Sequence, residues 1–110
     1  MDRIPESDWK CLRKIHDELL EKLSKRINDK VREALADTSL SEYDRRGNVY
    51  GLVRAWDKVV AECFNDWSRS NAVMRLLALR HRGLLTDDQL RNLTEETQRI
   101  VSKAVITTEL

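Results

Sequence analysis

Helix-breaking residues are scarce in this sequence of 110: there is one proline, Pro5, and there are three glycines. A proline so near the start sits where its missing N–H costs nothing, so Pro5 helps to begin a helix rather than end one. Long uninterrupted helices follow. Histidine is equally sparse, with His16 and His81 lying 65 positions apart, and the two cysteines form no CxxC pair. Zinc-type ligand spacing is therefore missing, as are ExxH carboxylate sets and glycine-rich phosphate loops, so no metal and no cofactor is expected. No long apolar run exists either: Val73 to Leu79 is interrupted by Arg75 and falls far short of the ~20 residues a membrane span requires. No membrane partner is expected. Charge of one sign is not in excess, with 20 Lys and Arg against 19 Asp and Glu, which removes bulk attraction to polyanions. Met1 to Lys10 is charged throughout and lacks the apolar core of a secretory segment, so the expected setting is reducing and cytoplasmic.

What remains is enough for a folded domain. Hydrophobic residues make up 41% of the chain, although aromatics are only 5% and charged residues 35%. The chain is polar by weight without being starved of core side chains, as disordered segments are. A chain of this size typically buries about two-thirds of its unfolded surface, which suits one domain spanning residues 1–110.

Periodicity assigns the elements. Apolar residues at Trp9, Leu12, Ile15, Leu19, Leu20, Leu23, Ile27, Val31, Ala34 and Leu35 mark one face of a first helix over residues 8–36, with Ser7 as its expected N-cap. Glu18 and Glu21 precede Lys22 and Lys25 by four residues, the favourable order for surface pairs. Asp37-Thr38-Ser39 breaks the pattern, and Ser39 with Glu42 has capping-box spacing, so a second helix is expected over residues 40–82. The short link makes the two helices antiparallel neighbours. Val49, Val53, Trp56, Val60, Cys63, Phe64 and Trp67 form the expected core stripe of the second arm. Past the polar residues 68–71 the apolar face turns by about a quarter of the wheel, at 100° per residue, which favours a kink or break there over one straight helix. Gly83 after Arg80-His81-Arg82 is a stop signal. Thr86 with Gln89, and Thr94 with Glu95 and Glu96, begin two short helices over residues 87–92 and 95–105. The β-branched Val105 to Thr108 is expected to fray. The fold class is all-α: a long antiparallel helical hairpin capped by short C-terminal helices, forming a small helical bundle.

Three groups of residues are candidates for function. His16 falls within the apolar stripe of the first helix and needs a partner. With the hairpin in simple register, Asp57 could supply one, with Cys63 at a similar level, which is the only constellation resembling a catalytic site. A hydrogen-bonded core histidine is the simpler account, and no complete catalytic set is present. Cys63 faces the core as a small hydrophobe, and Cys11 points away from its own stripe, so no disulfide between them is expected. Arg69, Arg75, Arg80 and Arg82 form a basic run suited to phosphate contacts, but Asp87, Asp88, Glu95 and Glu96 follow closely in sequence and can neutralise it internally. Gly47 and Gly51 each cost about 1 kcal/mol inside a helix. They share the outer face of the second arm with Tyr43, Tyr50 and Arg54, residue types common in interfaces. Local distortion near the hairpin tip is the competing account of these glycines. The function expected from these features is a non-catalytic helical module for self-association, as a homodimer, or for binding another helical protein. The alternatives are a nucleic-acid-binding regulator using Arg69 to Arg82 and a small helical enzyme centred on His16, Asp57 and Cys63.

Overall fold

The computed structural model describes residues 3–110; Met1 and Asp2, at the head of the charged stretch that argues against a secretory segment, lie outside them. Helix α1 (Glu6–Ala36) and helix α2 (Glu42–Phe64) form the antiparallel hairpin, followed by a 3-10 turn at Arg69–Asn71 and helices α3 (Ala72–His81), α4 (Asp87–Arg91) and α5 (Glu95–Val101). Among the described residues no strand forms.

Local chemistry explains each boundary. α1 starts two residues earlier than Ser7 would start it, because the Pro5 carbonyl accepts from Asp8 and Trp9 N–H and Pro5 itself is the N-cap. At the hairpin tip the expected cap also moves: Ser41, not Ser39, accepts from Asp44 N–H and opens α2. Ser39 instead donates its hydroxyl and its N–H to the Asp37 carboxylate, which tightens the turn and holds the Asp37 carboxyl below its ordinary range. α2 stops at Phe64 because Asn65 turns extended and Asp66 adopts a left-handed φ of 51°, a conformation short polar residues tolerate best. The second arm thus ends a turn before the expected residues 68–71, and the chain reverses into α3 through the 3-10 turn.

α3 closes with a paired C-terminal motif in which Gly83 N–H donates to the Arg80 carbonyl and Leu84 N–H to the Leu79 carbonyl. That geometry needs the φ of +68° found at Gly83. A Cβ there would stand 3.4 Å from methyls of Ile106 and Thr108, so backbone conformation rather than space sets the cost of a side chain. Gly83→Ala is expected to lose about 1–2 kcal/mol, read as a lower urea midpoint at unchanged slope. The α4 capping box is present, with Thr86 accepting from Gln89 N–H and the Gln89 side chain accepting from Thr86 N–H. α5 ends at Val101 rather than near residue 105. The following tail does not fray: Thr107 N–H donates to the His81 carbonyl at 2.7 Å, and the His81 ring bonds the Val105 carbonyl.

The core is unevenly distributed. Leu12, Leu19 and Leu23 of α1 meet Trp56, Val59 and Cys63 of α2, Ala72, Leu76 and Leu79 of α3, and Leu84, Leu85, Leu90, Leu93 and Val101 beyond, with Ile4 sealing one end. From Ser24 to Ala55 no residue is buried. The outer half of the hairpin therefore projects past the part covered by α3 to α5, giving an elongated molecule of 52 × 23 × 21 Å.

Candidate functional site

His16 does not meet Asp57. It lies on the flank of α1 with 29% of its side chain exposed, and its Nδ1 is 2.8 Å from Oδ1 of the adjacent Asp17. Its ring stands edge-on to Phe64 and Trp67, with centroids 5.5 and 4.5 Å away, while those two rings stack on each other. Asp57 is exposed on α2, because the buried face of that helix centres on Leu52, Trp56, Val59 and Cys63, sharing Trp56 and Cys63 with the expected stripe but turned from it by roughly 60°. That rotation carries Asp57 to the solvent side and leaves Val53 38% exposed. Cys63 is fully buried, and desolvation pushes its thiol up to about 11, aided by nearby Glu62. A thiol held protonated this far above neutrality is a poor nucleophile. The three candidate residues are thus not brought together. Both cysteines are free, and the Cys11 thiol donates to the Asn92 carbonyl at 3.8 Å. Among the described residues no cluster of His, Cys, Asp or Glu is arranged to hold a metal, and no helix is long and apolar enough to cross a membrane.

The arginine run is spent inside the fold. Arg69 donates to the Ile4 carbonyl and to Glu6, and Arg75 to the Glu62 carbonyl near the end of α2. Arg80, only 14% exposed, bonds the Leu85 carbonyl and Asp87, which holds the Asp87 carboxyl below its ordinary value. Arg82, 12% exposed, reaches Glu62 and the Glu109 carbonyl. The same device recurs elsewhere: Arg45 of α2 donates to the Leu35 carbonyl at the end of α1, while Lys22 and Arg26 of α1 donate to the Leu84 and Arg82 carbonyls after α3. Helix C-termini carry unsatisfied carbonyls and partial negative charge, and cations from neighbouring elements satisfy both. Lys22 and Lys25 accordingly do not serve the surface pairs expected with Glu18 and Glu21; Lys25 reaches forward to Asp29.

One polar cluster was not foreseen. Asp8 is 1% exposed and accepts from Thr94 N–H at 2.8 Å, Thr94 Oγ1 at 2.7 Å and Thr97 Oγ1 at 2.6 Å. Its carboxylate therefore sits at the N-terminus of α5 while belonging to the first turn of α1. The available signal was the third residue of α5: Thr97 stands where a capping box needs Glu or Gln, so the cap must come from elsewhere.

The remaining candidates lie on the projecting arm. Tyr43 is 77% and Tyr50 67% exposed, Gly47, Gly51 and Arg54 are exposed beside them, and a Cβ on either glycine would meet nothing within 4 Å. Tyr43, Arg46, Gly47, Val49 and Tyr50 line an open hollow of about 440 Å³. Leu35, 50% exposed, adjoins it through a second hollow shared with Glu42, Tyr43, Arg46 and Val49. Helix α2 is regular through both glycines, so distortion at the tip does not account for them. A further apolar hollow of about 240 Å³ lies between α1 and the α3–α4 region, lined by Leu12, Ile15, Leu76, Leu85 and Leu93 with Cys11 at its edge. No protein-family model, curated protein or solved structure matches the chain.

Proposed function

We propose that this chain is a non-catalytic helical module that self-associates, as a homodimer, through the outer face of α2 on the projecting half of the hairpin. The observation that carries this reading is the exposure of Tyr43 and Tyr50 beside the bare backbone of Gly47 and Gly51. Neither glycine serves a turn or a close contact within its own chain, yet each weakens α2. Large aromatics flanking a surface without side chains give an approaching helix both apolar area and room. The arm itself has no buried residue to justify its length, so a covering partner would complete it. Two free thiols, one of them fully buried, suit a reducing, cytoplasmic setting.

Sedimentation across the micromolar range tests the reading. The expected result is a concentration-dependent rise from monomer to dimer mass, abolished by Tyr50→Glu, whose exposed position leaves the helical circular dichroism unchanged. A chain that stays monomeric at high micromolar concentration overturns it.

A further inference from the structure

The exposed face of α2 carries a pattern more specific than an apolar patch. Tyr43, Arg46, Tyr50, Val53, Asp57 and Val60 follow one another at intervals of three, four, three, four and three residues. This is the alternation of the seam positions in a coiled coil, where a helix presents one narrow stripe to a partner helix. The first five of these residues are exposed, while Val60 at the inner end is half-buried against the core cluster, so from Tyr43 to Asp57 the stripe is distinct from the face that α2 turns toward α1. Two of its members carry opposite charges, and among the described residues neither Arg46 nor Asp57 has an ion-pair or hydrogen-bond partner. That sets them apart from Arg69, Arg75, Arg80 and Arg82, all of which are engaged within the chain.

Resting on the self-association reading, we propose that the occupant of this seam is the α2 seam of a second copy, running antiparallel, with the two-fold axis passing between Gly51 and Leu52. A two-fold axis there makes residues equidistant from it face each other. Arg46 then meets Asp57 of the second copy, Tyr50 meets Val53, and Tyr43 meets Val60, each contact occurring twice. All six seam positions are used, both charges are neutralised and both aromatics gain an aliphatic neighbour. Gly47 flanks the seam in the hollow between Tyr43, Arg46 and Tyr50, where the absence of a Cβ gives the second helix room, while Gly51 lies further round α2.

The alternatives do worse on the same residues. A parallel pairing sets every seam residue against its own copy, so Arg46 faces Arg46 and Asp57 faces Asp57, and like charges in contact oppose association. Sliding the antiparallel pair by one heptad sets Asp57 against Val53 in one direction and Arg46 against Tyr50 in the other, stranding charge on apolar side chains. The register centred between Gly51 and Leu52 is the one in which the seam is complementary to itself.

Charge exchange tests it. Arg46→Asp and Asp57→Arg are each expected to weaken dimerisation by about tenfold or more, because each creates two like-charge contacts. The double variant carrying both exchanges is expected to recover wild-type association, since every pair is again opposite in sign. Both positions are exposed, so each variant is expected to fold, which circular dichroism checks. A wild-type dimer indifferent to the single exchanges, or a double variant as weak as the singles, overturns the register while leaving self-association standing. A wild-type chain that is monomeric overturns both and leaves the seam to a helix of another protein.

Discussion

Asp8→Ala is expected to destabilise the protein by about 3–4 kcal/mol, lowering the melting temperature by roughly 10–20 °C for a chain of this length. The reasoning begins with the acceptor. The carboxylate takes three short bonds, two of them from Thr94 and one from the fully buried Thr97 hydroxyl. Hydrogen bonds to a charged group contribute more than neutral ones, and deleting the acceptor also leaves the buried Thr97 hydroxyl with only its longer contact to Thr94 Oγ1, at 3.2 Å. Asp8→Asn is the informative control: it keeps the shape and one acceptor oxygen, so about half the loss is expected. If thermal unfolding shows alanine and asparagine to be equally mild, the cluster does not hold α5 in place.

Trp56→Ala should cost about 3–5 kcal/mol, a large share of the stability of a small domain. Trp56 is 2% exposed and is the largest side chain in the core cluster that contains Leu19, Leu23 and Val59, with the Lys30 ammonium 5.6 Å from its ring centroid. It is also the outermost buried residue of α2, the last firm contact before the projecting arm begins. Its removal should therefore lower the urea midpoint and, through the loosened arm, weaken the proposed dimerisation as well. Trp56→Phe, which retains an aromatic ring, should recover most of the stability. An unchanged urea midpoint for the alanine variant would show that the two arms are held together elsewhere.

How legible these features were depended on whether the cause was local. The hairpin, its short connection and the α4 capping box are written in neighbouring residues, and periodicity with capping chemistry recovers them. Boundaries set by one hydrogen bond were displaced by a few residues, as at Ser39 and Ser41, where two serines compete and the Asp37 carboxylate decides between them. The core face of α2 was read correctly at Trp56 and Cys63 and rotated elsewhere, since Val53 and Val60 are as apolar as Leu52 and Val59 and only the packing against α1 chooses between them. That single rotation placed Asp57 near the core in the sequence reading and on the solvent side in the fold. Arg80 finds Asp87, one of the acids expected to neutralise the basic run, seven positions on, but the partners of Arg69 and Asp8 lie far along the chain, with Asp8 and Thr97 separated by 89 positions. The outer face of α2 was visible as an oddity in Gly47 and Gly51, whereas the charge pattern along it acquires meaning only once Arg46 and Asp57 are seen to lack partners within the chain.

The separation between Asp8 and Thr97 also bears on the order in which the molecule assembles. α1 and α2 can pair as soon as both have been synthesised, because their turn is short and their contacts are close in sequence. Ile4, Leu12 and Asp8 must wait, since the surfaces that cover them come from Leu85, Leu93, Thr97 and Val101. Closing so long a loop costs chain entropy before any contact offsets it. The half of the hairpin that α3 to α5 leave uncovered can thus pair early in translation, while the half that holds the core stays open until α5 has left the ribosome.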